Sequence, residues 1–206
     1  VSGGRPEAWL EIDPHLEFKV DSDAGWDEAA MAALAATGRV RTVDLKDYYV
    51  GDFHQIPADQ PAHYARVIAA FGDDVVLEDG ALTPETLPVL QPVAHRLSFD
   101  APIHSLADLT GLAVAPGWCN IKPSRFGTAQ RLLETIEHCQ AEGIRLYGGG
   151  QFELGPGRSQ IQAFASLFYA DGPNDVAPGG YNAPEPVRGL PSSPLHPSPF
   201  PVGLGL

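Results

Sequence analysis

Short apolar stretches rich in β-branched residues alternate along this chain with longer ones whose apolar residues recur at helical spacing. Residues 16–20 (LEFKV) read as the first strand, and the alanine-rich run 27–37, closed by Gly38, as the first helix. Further strands are expected at 40–45, 74–77, 97–99, 118–121, 144–147 and 175–177, with helices at 61–71, 105–109, 127–142 and 158–169. Such alternation predicts parallel βαβ units, hence an α/β fold.

Five consecutive predicted strands end on an ionisable residue: Lys19, Asp44, Glu78, Asp100 and Lys122, spaced 25, 34, 22 and 22 residues apart. Two more strand ends follow near Gly148 and Asp175, after 26 and 27 residues. A doubly wound sheet gathers its chemistry at one switch point. A (β/α)8 TIM-like barrel instead collects side chains from many strand ends into one mouth, and that is the geometry these positions need. Seven units are present where a closed barrel has eight, so the barrel is expected to be incomplete. The missing strand would precede Leu16, with residues 1–14 as a remnant.

Composition refines this picture. The 206 residues are 44% hydrophobic and 19% charged, enough apolar content for a real core. A net charge of −13, with no Lys/Arg cluster, speaks against nucleic acid as a partner. No apolar run approaches the roughly 18 residues of a membrane span. The cysteines, Cys119 and Cys139, suit neither a zinc cage nor a disulfide framework and read as buried small hydrophobes. Met31 is the only methionine and Val1 the first residue, so the chain reads as part of a longer protein. Seven of the twenty prolines lie within residues 184–206, which divides the chain into a barrel domain, 1–183, and an extended tail.

Asp44, Glu78 and Asp100 would meet in the mouth, where three like charges repel unless a hard cation lies between them; Mg²⁺ suits oxygen ligands best. Taken singly, each could instead cap the helix that follows it. Lys19 and Lys122 bracket the three carboxylates, and a lysine partly desolvated beside a divalent ion has a lowered pKa and can serve as a general base. Gly149 in the Gly148–Gly150 run permits close approach of a ligand, Glu153 lies within reach of it, and Ser124 with Arg125 could bind a carboxylate. Each also has a structural reading, as a tight turn or a local hydrogen-bond partner. His104 reads as a loop histidine.

The stretch NIKPSRFG, residues 120–127, resembles the sixth-strand motif of the enolase superfamily, of the mandelate racemase and muconate-lactonizing type. Asp44 in TVDLK, Glu78 in VVLED and Asp100 in LSFDAPIHS are similar to that branch's magnesium ligands on strands three to five. Lys19 in EFKVD matches the second lysine of its Lys-x-Lys motif, and YGGGQFELGPGRSQIQAFASL resembles its seventh strand and loop. Glu17 stands where the first lysine would be, Ala101 follows Asp100 where an acid is usual, and Asp175-Val176-Ala177 replaces the Asp-x-Asp of dipeptide epimerases, which speaks against a peptide substrate.

The resemblance implies a C-terminal barrel domain without its first strand and N-terminal cap. It also implies a Mg²⁺-dependent lyase or isomerase that removes the proton α to a substrate carboxylate, with Lys19 and Lys122 as acid/base groups acting through a metal-stabilised enediolate. Racemisation or epimerisation, dehydration, cycloisomerisation and synthase-type elimination all share that step. A cytoplasmic enzyme acting on a small carboxylate, with room for a homo-oligomer, is the expectation. The alternative is a barrel fragment, or a metal-binding relative, without catalytic competence.

Overall fold

Strand and helix alternate in the computed structural model as the sequence pattern requires, over the residues it describes: 6–48, 56–151, 153, 155–176, 180, 183, 185–191 and 195. Six strands, β1 (Phe18–Asp21), β2 (Val40–Asp44), β3 (Val76–Glu78), β4 (Leu97–Phe99), β5 (Trp118–Ile121) and β6 (Arg145–Gly148), pair in parallel in chain order. Helices α1 (Pro6–Leu10), α2 (Glu28–Ala36), α3 (Gln60–Ala70), α4 (Leu87–Leu90), α5 (Leu106–Thr110), α6 (Ala129–Glu142) and α7 (Pro156–Phe168) complete the layers.

Among the described residues the expected incomplete barrel has six strands in its sheet where seven were predicted. The seventh strand, placed at 175–177, reduces to one parallel bridge between Gly149 and Asp175, and Ala177 lies outside the described residues. Asp175 nevertheless comes within 3.9 Å of Lys19 on β1, so the sheet curls until its two edges approach each other. The architecture is α/β, an incomplete barrel of six strands. The suggested N-terminal strand remnant is instead helix α1, because Trp9 is buried in the apolar core. Of the expected tail, 184, 192–194 and 196–206 lie outside the described residues; in the remainder, Leu190 and Leu195 pack against the core.

Side chains alternate between faces along a strand, and here that alternation separates two chemistries. Val43 and Leu45, Leu77, Leu97 and Phe99, Cys119 and Ile121, and Leu146 point outward and join one apolar cluster with residues such as Val67 and Ile136 of the helices. Thr42 and Asp44, Glu78, Ser98 and Asp100, Asn120 and Lys122, and Tyr147 alternate with them and are also buried. The main apolar core therefore lies between sheet and helices, leaving the concave face to polar groups.

Helix caps are supplied by other residues than the strand-end acids: Asp27, Asp59, Ser105 and Thr128 accept the first-turn N–H of α2, α3, α5 and α6. This removes the capping explanation for Asp44, Glu78 and Asp100. Behind the sheet, the buried Arg96 donates to the carbonyls of Ile68, Phe71 and Val75, tying the end of α3 to the approach to β3. Gly117, just before β5, lies so close to His95 that a Cβ would overlap its carbonyl oxygen. Gly143 ends α6 at φ +70° with open space around it. Gly117→Ala should therefore lose about 3 kcal/mol of stability from overpacking against rigid backbone, and Gly143→Ala only about 1 kcal/mol from left-handed strain. Urea denaturation of the two variants checks the order; equal losses would contradict the contact at Gly117.

Candidate active site

Parallel register brings Asp21, Asp44 and Glu78 level at the ends of β1, β2 and β3, with Asp100 just past the end of β4. Asp44, Glu78 and Asp100 all have no solvent exposure. Three buried anions need partners, and the chain supplies four cations. Lys19 bridges Asp44, at 3.3 Å, and Glu78, in close contact. Lys46 lies 2.7 Å from Asp44, and both Lys122 and Arg125 lie 2.6 Å from Asp100.

Neutral donors hold the remaining oxygens in place. Asn120 and the Tyr147 hydroxyl each donate to Glu78 Oε1 at 2.6 Å, and Tyr147 also lies 2.9 Å from the Ser98 hydroxyl. Asp79, buried at φ +54°, accepts the backbone N–H groups of Asp100 (2.7 Å) and Ala101 (3.0 Å), fixing the chain where β4 leaves the sheet. Sequence reasoning missed Asn120, Tyr147, Asp79 and Lys46. A signal did exist for one of them: Asn120 is two residues before Lys122, the strand period, whereas Lys46 lies past the end of β2 in a turn.

Other expected residues divide. Gly149 makes room for Lys122, whose Cε would lie 2.9 Å from a Cβ placed there. Ser124 donates to Glu153 at 3.0 Å, and Glu153 in turn accepts the Gln151 N–H at 2.6 Å, so these groups are joined to one another at the rim of the mouth. Arg125 pairs with Asp100. His104 closes a local loop on Ala101 and Asp108, and Glu17 is exposed and pairs with Arg41.

Burial, reinforced by the Glu78 charge, outweighs the two lysines and pushes the Asp44 carboxyl up to about 7. Glu78 behaves oppositely: burial would raise it, but Lys19 with the hydrogen bonds from Tyr147 and Asn120 holds it at about 2. Desolvation would lower Lys19, as the sequence reading supposed, yet the charges of Glu78, Asp44 and Asp175 win and raise it well above the usual lysine value. Lys19 is thus held as an ammonium ion.

The donor set suits a hard divalent cation. Asp44 Oδ2 and Glu78 Oε2 are buried and accept no aligned hydrogen bond, meeting ammonium groups instead. As the side chains stand, no group of three or more His, Cys, Asp or Glu among the described residues is gathered tightly enough to grip an ion. Loading would require Lys19 and Lys46 to yield.

The family described as the C-terminal domain of a domain of unknown function, DUF8230, matches residues 2–183. This chain belongs to it. No curated protein matches the DUF8230 chain. Among solved structures it is similar to a probable mandelate racemase from Alicyclobacillus acidocaldarius, with 22% identity, TM-score 0.64, and coverage of 84% of this chain and 44% of that one. A dipeptide epimerase from Methylococcus capsulatus, complexed with Mg and the dipeptide L-Arg-D-Lys, matches at 20% identity and TM-score 0.62, covering 89% and 54%. An enolase superfamily member from Listeria innocua matches at 17% and 0.60, covering 78% and 42%. At these identities the likeness shows the fold alone: the incomplete barrel of the DUF8230 domain is similar to part of these enolase superfamily structures, and it spans about half their length. Among the described residues no helix is long and apolar enough to cross a membrane.

The opposed shifts of Asp44 and Glu78 have a measurable consequence. An acid whose folded pKa is raised binds its proton more tightly when folded, so Asp44 costs stability as pH rises from about 4 to about 7. Glu78 contributes stability that is present above about pH 4.5 and is lost as pH falls toward 2. With chelator present, Asp44→Asn should gain thermal stability relative to wild type between pH 4 and pH 7. A difference constant across that window would refute the raised carboxyl.

Proposed function

We propose that this chain forms the barrel half of a Mg²⁺-dependent enzyme of the enolase superfamily, one that removes the proton α to the carboxylate of a small substrate. The carrying observation is the set of three unexposed carboxylates on successive strands, with Lys19 at one end and Lys122 at the other. The Mg named with the dipeptide epimerase supports the choice of ion. Asp44, Glu78 and Asp100 would hold it, and when bound it supplies positive charge to stabilise the anion that develops on the substrate carboxylate.

The chain's own residues divide the remaining work. Lys122 Nζ, once it has released to solvent the proton with which it pairs with Asp100, takes the α-proton and becomes an ammonium ion again. Lys19, already ammonium, lies across the carboxylate set and either returns a proton to the opposite face or remains as fixed positive charge. Return to the opposite face gives racemisation or epimerisation; departure of a β-substituent gives dehydration, cycloisomerisation or elimination. Asn120 and Tyr147 keep Glu78 in one orientation throughout. Gly149 leaves Lys122 free to swing toward substrate, while Ser124 and Glu153 at the rim lie where a substrate's distal end would contact them.

Exchange of the α-proton for solvent deuterium, followed by NMR across a panel of carboxylates with Mg²⁺, tests the shared step independently of product. Lys122→Ala should lower exchange about a thousandfold, the scale of a lost general base, with Mg²⁺ affinity retained. Glu78→Gln should weaken Mg²⁺ binding by about a hundredfold or more, since losing a ligand should exceed the loss of an outer-shell partner. Full exchange in Lys122→Ala, or unchanged Mg²⁺ affinity in folded Glu78→Gln, would overturn the proposal.

A further inference from the structure

Lys46 has no role in the chemistry above, yet it is held in the mouth more tightly than a surface lysine. Its backbone adopts φ +61°, and only one other non-glycine among the described residues, Asp79, has a positive φ. Such a conformation is uncommon for a residue with a side chain and marks a position that its surroundings over-determine. The consequence here is that Lys46 grips both oxygens of Asp44. Its backbone N–H donates to Oδ1 at 3.0 Å and its ammonium lies 2.7 Å from Oδ2. Oδ2 is the oxygen also shared with Lys19, and it accepts no aligned hydrogen bond.

A second acid lies within reach of the same ammonium. Asp21, at the end of β1 and level with Asp44 in the sheet, has its carboxylate 3.3 Å from Lys46 Nζ. The two acids differ in setting: the Asp44 side chain is wholly buried, whereas Asp21 is 45% exposed. A divalent ion held by Asp44 would meet the Lys46 ammonium as well as that of Lys19, and the larger part of this repulsion, from the nearer group, is relieved by displacing Lys46. The displaced ammonium need not enter water unpaired, because Asp21 already waits on its outer side.

We propose that Lys46 is a tethered competitor for the divalent cation: it neutralises Asp44 while the site is empty of metal, moves out onto Asp21 when the ion arrives, and so sets the affinity of the site. This rests on the metal role of Asp44 and Glu78 proposed above. In this arrangement the buried carboxylates are never left uncompensated, and the site loads more weakly than its three anionic ligands alone would dictate.

Binding of Mn²⁺ alone to the full chain, followed by the loss of its free-ion EPR signal, tests this without reference to activity. Two variants remove the charge: Lys46→Gln, close in length, and Lys46→Gly, which suits the positive φ and guards against a folding defect. Both should bind Mn²⁺ at least tenfold more tightly than wild type, and Lys46→Arg should remain within about threefold of it. Tighter binding that Glu78→Gln then abolishes supports the inference. Equal or weaker binding in both charge-removing variants, with Glu78→Gln still abolishing it, overturns the role of Lys46 and leaves the metal site intact. Absence of Mn²⁺ binding in every variant overturns both.

Discussion

Three carboxylates without solvent exposure at the ends of adjacent strands impose the constraint on which this molecule is organised. Desolvating one anion is costly, and grouping three is prohibitive unless positive charge is brought in with them. Lys19 between Asp44 and Glu78, Lys46 on Asp44, and Lys122 with Arg125 on Asp100 meet that requirement, each from a different position in the chain. A buried ion pair adds little net stability over an apolar pair of the same volume. This network is therefore better understood as what functional chemistry demands of the fold than as what holds the fold together.

Stability comes chiefly from the opposite face of the same strands. Because successive side chains alternate, every polar residue directed into the concave face is flanked by an apolar one directed to the helices: Val43 and Leu45 around Asp44, Leu77 before Glu78, Phe99 before Asp100, Ile121 before Lys122. The outer layer of apolar contacts can hold the sheet while the inner face remains polar, charged and specific. Arg96 and the caps on α2, α3, α5 and α6 satisfy backbone groups remote from the mouth, leaving its acids free of that duty.

Local backbone geometry serves the same end. Among the described residues the two non-glycine residues with positive φ, Lys46 and Asp79, lie within two residues of the ends of the strands that carry Asp44 and Glu78. At each, the unusual backbone places an ionisable side chain against a strand end: Lys46 on Asp44 and Asp21, Asp79 on the N–H groups where β4 ends. Strain in these two turns is matched by hydrogen bonds and ion pairs available only once the adjacent strands are in register.

The alternation of elements, the polar strand ends and the βα period were readable in the sequence because all three are local. Strand periodicity shows in five or six residues, and a βα unit has a nearly constant length. Asp44, Glu78, Asp100 and Lys122 lie at or one residue past the strand ends that this regularity picks out, whereas Lys19 lies two residues before the end of β1, level with Thr42. What the sequence could not specify is which groups meet across strands. Asn120 and Tyr147 on Glu78, Asp79 on the Asp100 N–H, and Lys46 between Asp44 and Asp21 all depend on register and turn conformation, which settle only when the sheet assembles. The same reason separates the expected direction of the Lys19 shift from the one that its surroundings impose. Burial is predictable from a position facing the barrel mouth, but the sum of four neighbouring carboxylate charges is a property of distances, and only the tertiary structure sets those.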